Sequence, residues 1–477
     1  MKHYYLIILT LITLLCSCNT DKEQANKIIP KEPVSRDLAA IQKSGKLKVL
    51  ITYSSTSYFL YRGQPMGFEY ELLERLAAHL DLELELVLVK NMDSIFHNLN
   101  EGEADMIAHG LTITKDRKKE VSFTEYLYLT QQVLVQKKPD NWRSLRWNTL
   151  EDSLYHNAID LIGDTVAVRE NSSYIKRIEN LSRELGGPIY IDTLSGTLST
   201  EEIIKKVADG ELKYTVADKN LANVNATYNP ILNVNVPLSL SQRIAWAVRK
   251  NSPQLLEAIN QWIAQEKKEA PYHVIYNRYF KNKRDYRRRI QSEFMSINGN
   301  KISEYDGIIK KYADTIGWDW RLITSLIYQE SRFKNDSQSW TGAQGLMQLM
   351  PSTALSLGVN NLNDPAQNIK GGITYLQQNY EKFTEVKDSL QRIKFTMAAY
   401  NCGYYHIKDA QFLAQQENLN PHIWDDHVEK MVLALTYPSN YNKPGVKYGY
   451  VRGIEPVNYV KQIMERYEHY KKFIAQE

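Results

Sequence analysis

Glu330 stands where an apolar helical stripe ends and a polar loop begins. Leu322, Ile323, Leu326 and Ile327 recur at helical spacing, and Glu330 follows Leu326 by four residues on the same face. A carboxyl on the buried side of a helix is desolvated, which disfavours its ion and keeps the proton on near neutral pH. A general acid protonates a leaving oxygen from that state. Asp319 falls at the N-cap position of the same helix. Taken alone, the helix also permits a plain helix-end glutamate facing solvent. Cys402 and His406, four residues apart, are the types needed for a thiol nucleophile, but nothing around them suggests acyl transfer.

The elements that must position these residues follow from periodicity. Beyond residue 302 the patterns are helical, at 305–316, 320–330, 352–357, 368–383, 387–400 and 457–473, with breaks at Gly342, Gly345, Pro351 and Pro365. The earlier part alternates. Strand patterns at 47–51, 84–90 and 104–108 are separated by helical patterns at 70–80 and 92–101, and a second α/β stretch runs from 161 to about 236. Residues 242–249 read as a strand returning toward the first lobe, followed by a helix at 254–268. Such alternation argues for a parallel sheet covered on both faces. Residues 279–289, rich in Lys, Arg and Asn, read as linker.

The 477 residues suit two or three domains, and 43% apolar with 11% aromatic residues fits folded domains. A net charge of +4 is small, and the basic runs at 115–119 and 281–289 read as solvated faces without a nucleic-acid module. Met1-Lys2-His3 precedes an apolar run over 4–15, too short to span a bilayer and shaped like the core of an export signal. Leu15-Cys16-Ser17-Cys18 resembles a bacterial lipobox. That resemblance implies cleavage before Cys18 and a lipid anchor on its thiol; an ordinary signal peptide cut nearby is the alternative. Only Cys402 would then remain, so no internal disulfide is expected. The expected division is 1–17 signal peptide, 18–45 tether, 46–270 α/β domain, 271–300 linker and 301–477 helical domain. The expected place is the cell envelope, on the outer membrane facing the periplasm.

Gly67-Phe68-Glu69-Tyr70-Glu71-Leu72, Ala104-Asp105-Met106-Ile107, the run Gly110 to Arg117 and Ala217-Asp218 form an ordered series. It resembles the family three extracellular solute-binding proteins, two-lobed binders of periplasmic amino acids. The resemblance implies that Arg117 clamps a ligand carboxylate, Thr112 adds a hydroxyl donor and Asp218 of the other lobe accepts from the ammonium. The family often has a small hydroxyl residue where Gly110 stands.

A second series follows: Gln329-Glu330-Ser331, Gly345 to Pro351, Asp364-Pro365 with Asn368, Ala399-Tyr400-Asn401-Cys402-Gly403, and Glu455 ahead of Tyr459-Val460. It resembles the soluble lytic transglycosylase domain, a goose-lysozyme-like helical fold. With the α/β domain in front, the whole chain resembles the membrane-bound lytic murein transglycosylase F family. That family cuts the β-1,4 bond between N-acetylmuramic acid and N-acetylglucosamine by attack of the muramic C6 hydroxyl, giving a 1,6-anhydro end. An internal nucleophile removes the need for a second carboxyl, so Glu330 is expected to serve as both acid and base. The resemblance also implies that Ser339 orients the acid, Gln348 binds sugar amides or hydroxyls and Met350 forms an apolar floor. It further implies that Tyr400 brings its hydroxyl near Glu330, Asn401 binds sugar or braces the loop, and Glu455 lines the far wall.

The expected fold is thus α/β plus all-α. The expected partners are peptidoglycan strands, an amino acid or cell-wall peptide at the front domain, and a membrane through a lipid; no nucleic acid, metal or cofactor is expected. Two alternatives stay open, a lysozyme-like hydrolase using Asp336 or Asp364 as second carboxylate, and a receptor whose helical domain only binds glycan.

Overall fold

The computed structural model describes residues 33–89 and 91–476, so Cys18 and the lipobox lie outside the described residues. Lys46–Thr52 (β1) is buried over its last four residues because both faces of its sheet are covered. It lies between Glu83–Val89 (β4) and Met106–Thr112 (β5), parallel to both. Phe59–Tyr61 (β2) and Gln64–Met66 (β3) form a separate hairpin. Ser122–Phe123 (β6) and Tyr128–Thr130 (β7) complete the first sheet through Gln242–Val248 (β13), which runs antiparallel to β5, β6 and β7. The sheet is therefore mixed, where alternation alone argued for parallel strands. The chain leaves this lobe after Thr130 and comes back directly as β13, and that return needs no crossover helix.

The second lobe carries Gln132–Lys137 (β8), Thr165–Arg169 (β9), Tyr190–Leu194 (β10), Tyr214–Asp218 (β11) and Leu232–Asn233 (β12) in the order β10-β9-β11-β8-β12. Two short crossings join the lobes, one at Gln131 and one at residues 238–241. Phe68–His79 (α1) covers the first sheet. Ser173–Leu185 (α2), Thr200–Asp209 (α3) and Lys219–Tyr228 (α4) cover the second. Pro253–Glu266 (α5) returns to the first lobe, where Trp262 stacks on Trp246 at 6.2 Å.

Two stretches expected to be loose are built into this body. Residues 38–44 are helical, Ile41 is fully buried, and Arg36 pairs with Asp105 at 2.7 Å, although 18–45 reads as tether. Within 271–300, read as linker, Ala270–Tyr276 (α6) and Lys283–Ile290 (α7) are helices. Tyr272, Ile275, Tyr279 and Tyr286 bury one face there. The apolar stripe is made largely of tyrosines set among cations, which hides it from a hydropathy reading.

The last part is helical, as its periodicity predicts. Asp306–Ala313 (α8), Trp320–Ser331 (α9), Pro365–Glu381 (α11), Ser389–Cys402 (α12), Tyr404–Gln416 (α13) and Ile454–Phe473 (α14) surround one core, and Pro351–Ser356 (α10) packs Ala354 into a small cluster with Leu349 and Val359. Helix α9 is the central post: residues 320–327 are all buried, and the Asp319 side chain caps it by accepting from Arg321 N at 2.9 Å.

Candidate active site

Helix α14 packs along both α9 and α12, and three side chains converge from these helices. Glu330 comes from the last turn of α9 and Tyr400 from the last turns of α12. Tyr459, one turn into α14, is buried and donates its hydroxyl proton to Glu330 Oε1. Burial pushes the Glu330 carboxyl up to about 7, and the Tyr459 hydrogen bond acts the other way by favouring the ion. Tyr400 lies within electrostatic range of Glu330, but its hydroxyl donates to the Met347 carbonyl at 2.7 Å. It thus braces the loop that faces the acid.

That loop leaves α9 through two left-handed residues, Arg332 (φ 52°) and Phe333 (φ 62°). Asn368, fully buried, staples its far end. The side-chain oxygen accepts from Met347 N at 2.8 Å, and the amide nitrogen donates to the Gln344 and Leu362 carbonyls at 3.0 and 2.9 Å. Gly345 (φ 80°) passes so close that a Cβ would overlap the Asn368 amide and the Leu362 carbonyl.

The structure places the other expected residues on this loop, at the end of α12 and on α14. Ser339 makes no hydrogen bond to Glu330; its Oγ accepts from Ala343 N at 2.9 Å and lies 2.8 Å from Thr341 Oγ1, so the turn occupies it. The Gln348 amide nitrogen donates to the Ser337 and Gly345 carbonyls at 3.0 and 2.8 Å, so that end braces the loop. Glu455 is exposed and pairs with Arg452 at 2.7 Å, four residues before Tyr459 on the same face of α14. Met350 is 41% exposed and therefore free of the core, and Asn401 is exposed at the end of α12. Burial pushes the Cys402 thiol up to about 12, which leaves no thiolate for nucleophilic work. The helical stripe that marks Glu330 marks neither Tyr459 nor Trp340. The indole of Trp340 is 98% exposed on the loop after Glu330, a face suited to stacking on a sugar ring. The spacing Glu455 to Tyr459 was the available signal for the tyrosine.

A second site lies between the front lobes, which touch where Ser55 N donates to Glu201 at 3.1 Å. Thr112, 3% exposed, ends β5. Arg117 donates to the Thr112 carbonyl at 3.2 Å and sits 5.8 Å from the Phe96 ring. Asp218 ends β11 in the other lobe. Burial pushes its carboxyl up to about 7, against the opposing Arg117 charge and a Tyr174 hydrogen bond. Arg117 and Asp218, 101 residues apart in sequence, thus face one another electrostatically. A Cβ at Gly110 would lie 3.1 Å from the Tyr128 hydroxyl, a tight approach.

The family model of bacterial extracellular solute-binding proteins, family 3, matches residues 34–282, and the transglycosylase SLT domain model matches residues 307–423. A protein of Desulfosudis oleivorans named membrane-bound lytic murein transglycosylase F is 34% identical over 438 residues, 92% of each chain. A protein of the same name from Shewanella sediminis is 32% identical over 470 residues, 98% of this chain and 92% of its own. Among solved structures, the ancestral amino acid-binding protein AncCDT-1 aligns with 51% of this chain and 99% of its own at 27% identity and a TM-score of 0.41. With both domain models present and relatives matched over nearly their whole length, the chain belongs to the membrane-bound lytic murein transglycosylase F family.

Proposed function

We propose that this lytic murein transglycosylase cleaves the β-1,4 bond between N-acetylmuramic acid and N-acetylglucosamine and leaves a 1,6-anhydromuramic end. Protonated Glu330 gives its proton to the glycosidic oxygen as the bond to C1 breaks. The C6 hydroxyl of the same muramic residue then attacks C1, and Glu330 takes that hydroxyl's proton, which restores the starting state. No water enters.

One observation carries this reading: a desolvated carboxyl, pushed up to about 7, with no second free carboxylate assembled around it among the described residues. Asp364, the candidate second acid of a hydrolase, caps α11 by accepting from Gln367 N at 2.8 Å. Glu455 is held by Arg452. A digest of purified peptidoglycan tests it: anhydro-muropeptides are expected, products heavier by one water would mean a hydrolase, and no release would mean a receptor. Tyr459→Phe is expected to lower kcat about tenfold and to move the alkaline limb of the pH–rate profile upward. The sign follows because the lost hydrogen bond favours the Glu330 anion. An unmoved limb would remove Tyr459 from the acid's environment.

The front domain, on this reading, binds an amino acid or cell-wall peptide and regulates turnover. Support comes from Arg117 and Asp218 facing across the cleft and from β2–β3 reaching the helical domain, where the Gly63 carbonyl accepts from Tyr470 Oη at 2.7 Å. Bound amino acid should raise the melting temperature, and Arg117→Ala should abolish that shift; a shift that survives would count against the clamp. The lipid on Cys18 and outer-membrane placement belong to the same proposal. The relatives from Desulfosudis oleivorans and Shewanella sediminis are named membrane-bound, and no helix among the described residues is long and apolar enough to cross a membrane.

A further inference from the structure

Arg117 does not stand alone in the cleft. Arg169, the last residue of β9 in the other lobe, lies within electrostatic range of it. Neither arginine makes an ion pair among the described residues. Arg169 is the more exceptional of the two. Its Nε is shut from solvent without a hydrogen-bond partner. Three residues on, the Ser172 hydroxyl is also buried and unpartnered, in a residue only 7% exposed at the N-cap of the thirteen-residue α2. Gln132 Oε1, in a residue 1% exposed, and Asp218 Oδ1 complete a set of orphaned polar atoms. Buried donors and a buried cation without partners are costly, and their concentration in one cleft marks where a ligand's groups belong.

Charged groups of both signs line this cleft. His109, kept neutral by burial and by both guanidiniums, sits within range of Arg169 and Arg117. Asp218, which Arg117 also faces, and Glu69 carry the acidic groups, with Tyr128 in range of both. Glu69 is 4% exposed, and burial pushes its carboxyl up to about 7. Asp93 also feels Arg169 from the rim, but it is tied to Asn171 and Glu170 and does not pair with the guanidinium. Two buried cations thus line a cleft in which a single ligand carboxylate would supply only one counter-charge.

We propose that the cleft is built for an amino-acid ligand with two carboxylates and one ammonium, the second carboxylate seated on Arg169 and Ser172. Arg117 holds the first carboxylate and Asp218 the ammonium, so this inference rests on the amino-acid-clamp reading of the front domain. Arg169 then sets selectivity for acidic ligands such as glutamate, or a peptide end of that chemistry.

Titration of the full-length chain in detergent with glutamate, alanine and lysine tests it. Glutamate is expected to bind about ten- to a hundredfold tighter than alanine, the span of one charge-assisted contact, and lysine weakest. Arg169→Gln should bring glutamate to the level of alanine and leave alanine unchanged. Arg169→Lys, which keeps the charge, should retain part of the preference. Equal binding of glutamate and alanine by the wild type, or unchanged glutamate affinity in Arg169→Gln, overturns the second-carboxylate site. If alanine binding still depends on Arg117, the clamp survives that failure. If none of the three amino acids binds, both readings fall together.

Discussion

Glu330→Gln is expected to cut product release from peptidoglycan by about a thousandfold or more, since the amide neither gives nor takes the proton that both half-steps require. The wild-type rate should fall as pH rises through about 7, where the carboxyl ionises, and this limb should be absent from any residual activity of the variant. Stability should fall over the same rise in pH. The folded carboxyl titrates above its ordinary value of 4.5, so the folded state holds its proton over a window where the unfolded chain has lost it. That contribution to stability is complete below the unfolded pKa and is lost as pH rises through the folded one. Above pH 7 the wild type carries a buried anion that Glu330→Gln lacks, so the variant should melt at or above the wild-type temperature at pH 8. Melting well below wild type would make the activity loss a folding defect, and retained turnover would take Glu330 out of the mechanism.

Gly345→Val should have the largest effect on stability. The added side chain meets a left-handed backbone and a Cβ position already filled by the Asn368 amide and the Leu362 carbonyl. The two penalties together are on the order of 3–5 kcal/mol. That corresponds to roughly a 10 °C fall in melting temperature. Turnover should fall as well, because the displaced segment carries Met347, whose carbonyl holds the Tyr400 hydroxyl. Gly342→Ala is the matched control. Gly342 is also left-handed (φ 92°), but nothing lies within 4 Å of its Cβ position, so only the backbone strain of about 1 kcal/mol applies. Equal effects of the two substitutions would show that conformation, and not the Asn368 staple, sets the loop.

Much of this arrangement is legible in the chain because long periodic stretches dominate it. The stripe Leu322, Ile323, Leu326 and Ile327 fixes the central helix and the face on which Glu330 sits, and the strand at 242–249 returns to the first lobe as its pattern suggests. Periodicity is blind to partners, however. Ser339 and Gln348 carry groups suited to an acid or a sugar, yet local backbone atoms three to eleven residues away engage them first. Tyr459 and Arg169 reach their sites only through the packing of elements distant in sequence, α14 on α9 and one lobe on the other. The tyrosine stripe of α6 and α7 is read as linker because cations interrupt it; one of them, Arg289, is itself buried against Tyr279 and Tyr286.

The β2–β3 hairpin sets a limit on how this molecule can be divided. Leu60, 3% exposed, belongs to the core of the helical half, and a Cβ on Gly63 (φ 75°) would lie 2.6 Å from the Tyr470 hydroxyl and 2.9 Å from the Phe333 ring. Phe473 stacks on Tyr53 at 4.7 Å, and Lys472 donates to the Leu86 carbonyl at 2.7 Å. Cutting the chain near residue 300 would strip the cover from Tyr328, Phe333, Tyr470 and Phe473 at once, exposing aromatic surface three residues from Glu330. The catalytic half is thus not a detachable module: expressed alone, it would carry a sticky wound beside its own working groove.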